Sequence, residues 1–176
     1  MGSGNDTAFV ARNEIAGSVL IESGLFGTQD DLVVMNDPFD GGNLIGGDVL
    51  VVGKRMTALL RAQEILGSTL ILTGANNDLV TLAASQFHGN VLVDTDGGTD
   101  HVAIGDAADI VPNTFGRRLD VRLGAGNDRL TVRRTTVSGQ ARLLGESGTD
   151  VIERAAPAYG NVFLSTLQFT GFESTL

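Results

Sequence analysis

Residues 124–132, GAGNDRLTV, hold in nine positions the pattern that decides this fold: a glycine-rich corner, an acidic residue at Asp128, then a strand in which Leu130 and Val132 take one face and Arg129 and Thr131 the other. Successive side chains of a strand point to opposite faces, so this alternation predicts a half-buried β-strand entered through a tight corner. The same corner recurs. Asp128 to Asp150, Asp78 to Asp100 and Met56 to Asp78 are each separated by 22 residues, with Met56 standing where the acid would be. A fixed period of this length, built from strand-like pieces, predicts a solenoid in which no repeat buries its apolar side alone and each stacks on the next.

Aligned on the acidic corner, coils begin at Asp6, Asp30, Met56, Asp78, Asp100, Asp128 and Asp150, with a last partial match at Glu173. The longer intervals are read as loop insertions, the largest in 35–47 (MNDPFDGGNLIGG) and 105–116 (GDAADIVPNTFG), both rich in turn-forming residues. In the first strand of each coil the inward pairs are expected to be Leu32/Val34, Ala58/Leu60, Val80/Leu82, Val102/Ile104 and Leu130/Val132. About eleven residues past the corner comes a second glycine, at Gly17, Gly67, Gly89 and Gly139, with Gly47 and Gly116 displaced by insertions and Gly160 one residue early. A glycine recurring at one offset marks a bend that needs positive φ or close backbone approach. A second strand follows, with inward pairs Val19/Ile21, Val49/Val51, Thr69/Ile71, Val91/Val93, Leu119/Val121, Ala141/Leu143 and Val162/Leu164. A third short strand is placed around Thr136-Val137. Residues 54–66, KRMTALLRAQEIL, come closest to a helical period but are read as strand by their register.

The expected fold is therefore all-β: a right-handed parallel β-helix of about seven to eight coils of about 22 residues, the hand following from the rule for parallel crossovers. Residues 1–176 form one β-helix repeat domain. Because MGSGNDTAFV enters the pattern at its corner, without a basic and apolar leader, the chain is expected to be a fragment of a longer repeat protein whose export signal lies elsewhere.

Composition limits the functional classes. The chain has 24 glycines, no cysteine and a net charge of −9. Residues 1–100 carry 13 acidic and 4 basic side chains, whereas the rest carry eight of each, the eight cations all being arginines. Overall acidity without basic and aromatic interleaving argues against nucleic acid, and no apolar run is long enough for a membrane-spanning helix. A stripe of Leu20, Leu50, Leu70 and Leu92 on the outer side of the second strand, continued after Asp120 and Arg142 by Phe163, is more apolar than a solvated face requires. It marks a surface that a loop covers or that serves self-association or a glycan or protein partner. The arginines of the later coils are expected to form a salt-bridge ladder, with Asp120 and Arg142 stacked, rather than an anionic-glycan site.

The corners GSGND (2–6), GANND (74–78), GGTD (97–100) and GAGND (124–128) resemble the calcium-binding glycine-aspartate repeats of RTX proteins, and FTGFESTL (169–176) resembles the segments that follow such arrays. RTX nonapeptides run in tandem so that neighbouring turns share an ion, whereas here they recur every 22 residues. Overall the chain is similar to the longer glycine-aspartate β-helix repeats of large bacterial secreted or surface proteins and adhesins. That resemblance implies a structural or binding module, extracellular or at the cell surface. The alternatives are a polysaccharide-active lyase or glycoside hydrolase, and a calcium-stabilised RTX-like segment.

Asp78, Asp100, Asp128 and Asp150 are expected to cap backbone N–H groups in the bends as a stacked, solvent-edged ladder. The best calcium candidate is Asp94, Asp96 and Asp100 in DTDGGTD, since calcium takes six to eight oxygens and alternating carboxylates around a glycine turn supply them. Asp37 and Asp40 form a second, weaker set. His88 and His101 lack a nucleophile in any recognisable motif, GxSxG is absent, and no catalytic residue is assigned.

Overall fold

The computed structural model describes residues 4–23, 30–36, 42–105, 111–154 and 160–175. Those residues contain strands and no helix. The first coil contributes β1 (Thr7–Val10), β2 (Glu14–Ile15) and β3 (Val19–Glu22); the second β4 (Asp31–Met35), β5 (Asn43–Ile45) and β6 (Val49–Val52); the third β7 (Met56–Arg61), β8 (Gln63–Ile65) and β9 (Thr69–Leu72). There follow β10 (Leu79–Ala83), β11 (Gln86–Phe87), β12 (Val91–Asp94), β13 (Gly97–Gly98), β14 (His101–Ile104), β15 (Asn113–Phe115), β16 (Leu119–Arg122), β17 (Ala125–Gly126) and β18 (Arg129–Val132). The chain ends with β19 (Thr135–Val137), β20 (Ala141–Leu144), β21 (Ser147–Gly148), β22 (Val151–Arg154), β23 (Val162–Phe163), β24 (Leu167–Thr170) and β25 (Ser174–Thr175).

Each strand pairs in parallel with its equivalent one coil away, which makes a β-solenoid. The first wall stacks β1-β4-β7-β10-β14-β18-β22-β25, the second β2-β5-β8-β11-β15-β19-β23, and the third β3-β6-β9-β12-β16-β20-β24. A short fourth sheet, β13-β17-β21, lines one corner of the later coils. The third strand expected near Thr136-Val137 is thus one member of a complete wall. KRMTALLRAQEIL is strand, β7 and β8, as its register indicates.

The core is a set of vertical columns. Ala58, Val80, Val102, Leu130 and Ile152 are consecutive register partners in the first wall, all fully enclosed. The second wall places Ile45, Ile65, Phe87, Phe115 and Val137 in one column, in which Phe87 and Phe115 stack with ring centroids 4.9 Å apart and planes 7° from parallel. The third wall supplies Val51, Ile71, Val93, Val121 and Leu143. Period-two alternation fills a dry interior from three sides, each wall burying the face that its neighbours continue.

Two expected registers are corrected. In the second coil Val33 and Met35 are buried while Leu32 is 37% exposed, the reverse of the expected Leu32/Val34 pair. Asp30 and Asp31 stand side by side, and it is Asp31 that takes the corner position, since its carboxyl accepts the Asp6 amide. A slip of one residue turns every side chain to the other face. In the last coil Val162 and Leu164 are exposed, and the inward pair of the third wall is Leu167/Phe169, partnered with Ala141/Leu143. Val162 and Phe163 belong to the second wall, so Phe163 does not extend the outer leucine stripe and Gly160 is not that coil's bend.

Of the recurring glycines, Gly47, Gly67, Gly89 and Gly139 lie where corners of adjacent coils nearly touch, whereas a Cβ on Gly17 would meet nothing. A Cβ on Gly89 would come within 2.2 Å of the Gly67 carbonyl oxygen. At Gly148 both demands coincide, with φ at +132° and a Cβ that would lie 1.4 Å from the Gly126 oxygen.

Candidate functional site

Two internal ladders of polar side chains tie the coils together at the corners flanking the first wall. In the first, each carboxyl accepts the backbone N–H of the equivalent residue one coil nearer the N-terminus. Asp31 accepts from Asp6 at 2.9 Å, Asp78 from Met56 at 2.5 Å, Asp100 from Asp78 at 2.8 Å, Asp128 from Asp100 at 2.7 Å and Asp150 from Asp128 at 2.9 Å. Glu173 ends the series by accepting from Asp150. Met56 has no carboxyl to offer, its sulfur instead accepting from Ser23 Oγ, and the Asp31 N–H turns to the Arg55 carbonyl at 3.1 Å. The capping role expected of these acids is therefore present, but their setting is not solvent-edged: Asp31, Asp78, Asp100, Asp128 and Asp150 are at most 4% exposed.

Burial at stacked positions has an electrostatic consequence. Loss of hydration raises the Asp78 carboxyl from the ordinary 3.8 to about 7, and the neighbouring Asp100 carboxylate adds to the effect against the Met56 amide and the Thr73 hydroxyl, which favour the charge. Asp100 rises to about 6 for the same main reason, with Asp128 and Asp96 contributing repulsion. Asp128 and Asp150 are also raised, chiefly by burial. The second oxygens of Asp128 and Asp150 are enclosed without a hydrogen-bond partner, in keeping with the raised affinity of both carboxyls for a proton.

The second ladder was not anticipated. Asn43 Oδ1 accepts the Asn13 amide at 2.9 Å, Ser85 Oγ the Gln63 amide at 3.0 Å, Asn113 Oδ1 the Ser85 amide at 2.9 Å and Asn161 Oδ1 the Thr135 amide at 3.2 Å. Asn43 Nδ2 also donates to Gln63 Oε1 at 2.8 Å, and Asn113 Nδ2 to the Leu82 carbonyl at 2.7 Å. The residue before the ladder position is left-handed in most coils: Arg12 (φ 55°), Gly42 (φ 68°), Ala62 (φ 54°), Ala84 (φ 50°) and Arg134 (φ 45°). A left-handed residue turns the chain sharply at the end of the first wall, and the amide just after it is satisfied by the polar side chain at the equivalent position one coil nearer the C-terminus. The signal was present in the sequence, because Asn13, Gln63, Ser85 and Thr135 each lie seven residues after the acid-ladder position.

The three candidate calcium ligands have separate placements. Asp94 stands on the outer side of β12, 3.7 Å from Arg122; Asp96 is exposed at a corner with φ of 60°; Asp100 is committed to the buried ladder. Among the described residues no group of three or more His, Cys, Asp or Glu is placed to hold a metal ion. Asp37 and Asp40 lie outside the described residues. His88 Nε2 is 3.3 Å from Glu64 Oε1 at the surface. His101 Nε2 is 3.3 Å from Thr131 Oγ1, and burial together with the nearby Arg129 charge lowers its basicity.

On the outer surface, Leu20, Leu50, Leu70 and Leu92 are register partners in the third wall, followed by Asp120, Arg142 and Gln168. Leu20 is 60% exposed and the other three leucines are half-buried. Val52 and Leu72 stack beside them, two residues along each strand, so the apolar stripe widens into a patch. The salt-bridge ladder takes a different form from that expected. Asp120 and Arg142 are stacked, but Asp120 pairs with Arg118 at 2.7 Å, because residues two apart share the outward side of one extended segment. Glu153 pairs with Arg129 and lies 3.7 Å from Arg133, and the Arg129 bond lowers its pKa.

No family model, curated protein sequence or solved structure matches this chain.

Proposed function

We propose that this chain is a structural and contact-presenting β-solenoid module of an extracellular bacterial surface or secreted protein, adhesin-like in role. The observation that carries the reading is the in-register stack itself, held by backbone bonds in three walls and by side chain to backbone bonds at two corners. Bending or splaying such a stack breaks several of these bonds at once, so it acts as a stiff spacer. Its carboxyls support this use over hydrolytic chemistry, since Asp78, Asp100, Asp128 and Asp150 face inward and hold amides. The described outer surface carries a leucine patch and arginine–carboxylate pairs, which are suited to contact.

The rival reading is a β-helix enzyme acting on polysaccharides. Incubation of the purified chain with a panel of neutral and anionic polysaccharides, with and without calcium, followed by sizing of the products, separates the two. Unchanged polymer length is the expected result. Progressive shortening would replace the proposed role with a lyase or hydrolase.

A further inference from the structure

Pairing among the later arginines leaves two of them short of a partner on the outer side of the third wall. Asp120 is stacked on Arg142, but both of its carboxylate oxygens are taken by the Arg118 fork, Nε at 2.8 Å and Nη2 at 2.7 Å. Arg142 is half-buried on β20, and among the described residues it meets no carboxylate or other hydrogen-bond acceptor. Arg122, on the neighbouring strand and two residues along, has among them only Asp94 Oδ2 at 3.7 Å, beyond hydrogen-bond reach.

We infer that this face, over β16, β20 and β24, binds an acidic polysaccharide, with the carboxylate of one sugar unit held between Arg122 and Arg142. The inference rests on the contact-presenting role proposed above and names the partner. Strand spacing and rise set the Cα atoms of the two arginines about 8 Å apart, which side chains of this length span to meet one anionic group. A guanidinium offers its N–H donors as a planar fork that matches a carboxylate, and here two forks have donors to spare. Gln168, the exposed register partner of Arg142 on β24, adds an amide beside them.

Charge selects an anion and this location. Arg118, Arg122 and Arg142 stand against Asp94 and Asp120, so the face has a positive surplus on a chain whose net charge is −9. A polyanion is repelled by the chain at large and finds its complement here. The shape of the face selects a polysaccharide. A parallel sheet presents a ribbed, nearly flat surface with one strand per step. Sugar rings lie flat on such a surface, whereas peptide side chains dock into pockets. Leu92 and Leu70 continue the column of Arg142 and Asp120, and give the apolar C–H faces of neighbouring rings a floor.

The test is calorimetric titration of the full chain with polygalacturonate oligomers, with uncharged dextran and with poly-glutamate, at low and raised salt. Polygalacturonate is expected to bind, more weakly as salt rises, with dextran silent and poly-glutamate weaker. Arg142→Gln and Arg122→Gln are each expected to lower the affinity about tenfold, the scale of a charge-assisted hydrogen bond. Arg133→Gln, on the first wall, is expected to leave it unchanged. Thermal melts show which variants are folded, and since the two arginines lie on separate strands, either variant alone is decisive. No binding of intact polygalacturonate overturns the site and leaves the contact-presenting role standing. An equal loss in Arg133→Gln overturns it in favour of diffuse attraction, and poly-glutamate bound as tightly overturns it in favour of an acidic peptide. Shortened polygalacturonate recovered after the titration would overturn the site and the contact-presenting role together.

Discussion

Asp100 Oδ1 accepts the backbone N–H of Asp78 at 2.8 Å, across one full turn of the solenoid, and both residues are almost completely enclosed. The bond serves two ends at once. It satisfies an amide that would otherwise be buried unpaired at a corner, and it fixes the axial position of one coil on the next.

The ladder is expected to depend on the acceptor oxygen and not on its charge. Asp128→Ala leaves the buried Asp100 amide without a partner and is expected to cost about 1–3 kcal/mol. Asp128→Asn keeps an oxygen for that amide, adds no buried charge, and is expected to match or exceed the parent at neutral pH. Urea unfolding of the three proteins measures both differences.

Stability is expected to fall as pH rises. Asp78 and Asp100 have folded-state pKa values of about 7 and about 6 against an ordinary 3.8, and Asp128 and Asp150 shift in the same direction. Between those limits the folded chain binds more protons than the unfolded one, so the contribution of these groups is complete below pH 3.8 and is lost as pH climbs through the folded values to about 7. His101 and Glu153, both lowered, act in the opposite sense, their contributions being lost as pH falls, but they are two groups against four. The net loss is expected to be on the order of a few kcal/mol, or several degrees in Tm for a chain of this size. Asp78→Asn is expected to flatten the profile; a Tm that rises over this interval would contradict the buried-acid ladder.

The corrected register of the second coil makes opposite predictions for two adjacent residues. Val33→Asp places a charge in the sealed core and is expected to cost several kcal/mol, on the order of 3 or more. Leu32→Asp, on the outer face, is expected to cost about 1 kcal/mol or less. Chemical denaturation of the pair decides it, and equal effects would restore the register counted from Asp30.

Backbone demands differ between corners. Ala84 is left-handed at φ of 50°, so Ala84→Gly relieves a disfavoured conformation and is expected to be neutral or stabilising by up to about 1 kcal/mol. Gly148→Ala would drive a methyl into the Gly126 carbonyl and is expected to destabilise by more than about 2 kcal/mol. Thermal melts of both variants provide the comparison.

How far the sequence reveals this molecule depends on which signals are redundant. The 22-residue spacing of Asp78, Asp100, Asp128 and Asp150, joined to period-two strands, was enough for the parallel solenoid and for the columns through Val80, Val102 and Leu130. Where two residues compete for one role the sequence is ambiguous: Asp30 beside Asp31 leaves the face of β4 undecided, and the extra residues before Asn161 shift Val162 into the second wall. The Asn13, Gln63, Ser85, Thr135 series escaped because its members share hydrogen-bonding capacity rather than residue type, and only Asn43, Asn113 and Asn161 follow insertions that hide the offset. That the acids are enclosed was not legible either. Burial at a corner depends on the neighbouring coils closing over it, which no local pattern records.

The most direct test of the stacking uses the absence of native cysteine. Leu32, Thr57 and Leu79 are successive partners on the outer face of the first wall. Neighbours in the column lie about 5 Å apart and alternate members about 10 Å apart, while a disulfide spans Cα atoms about 4.4–6.8 Å apart. Paired cysteines at 57 and 79 are therefore predicted to form an intramolecular disulfide under mild oxidation, and cysteines at 32 and 79 to remain reduced. A reduced 57/79 pair, or cross-linking at 32 and 79 as fast as at 57 and 79, would contradict the one-coil register on which the whole structure rests.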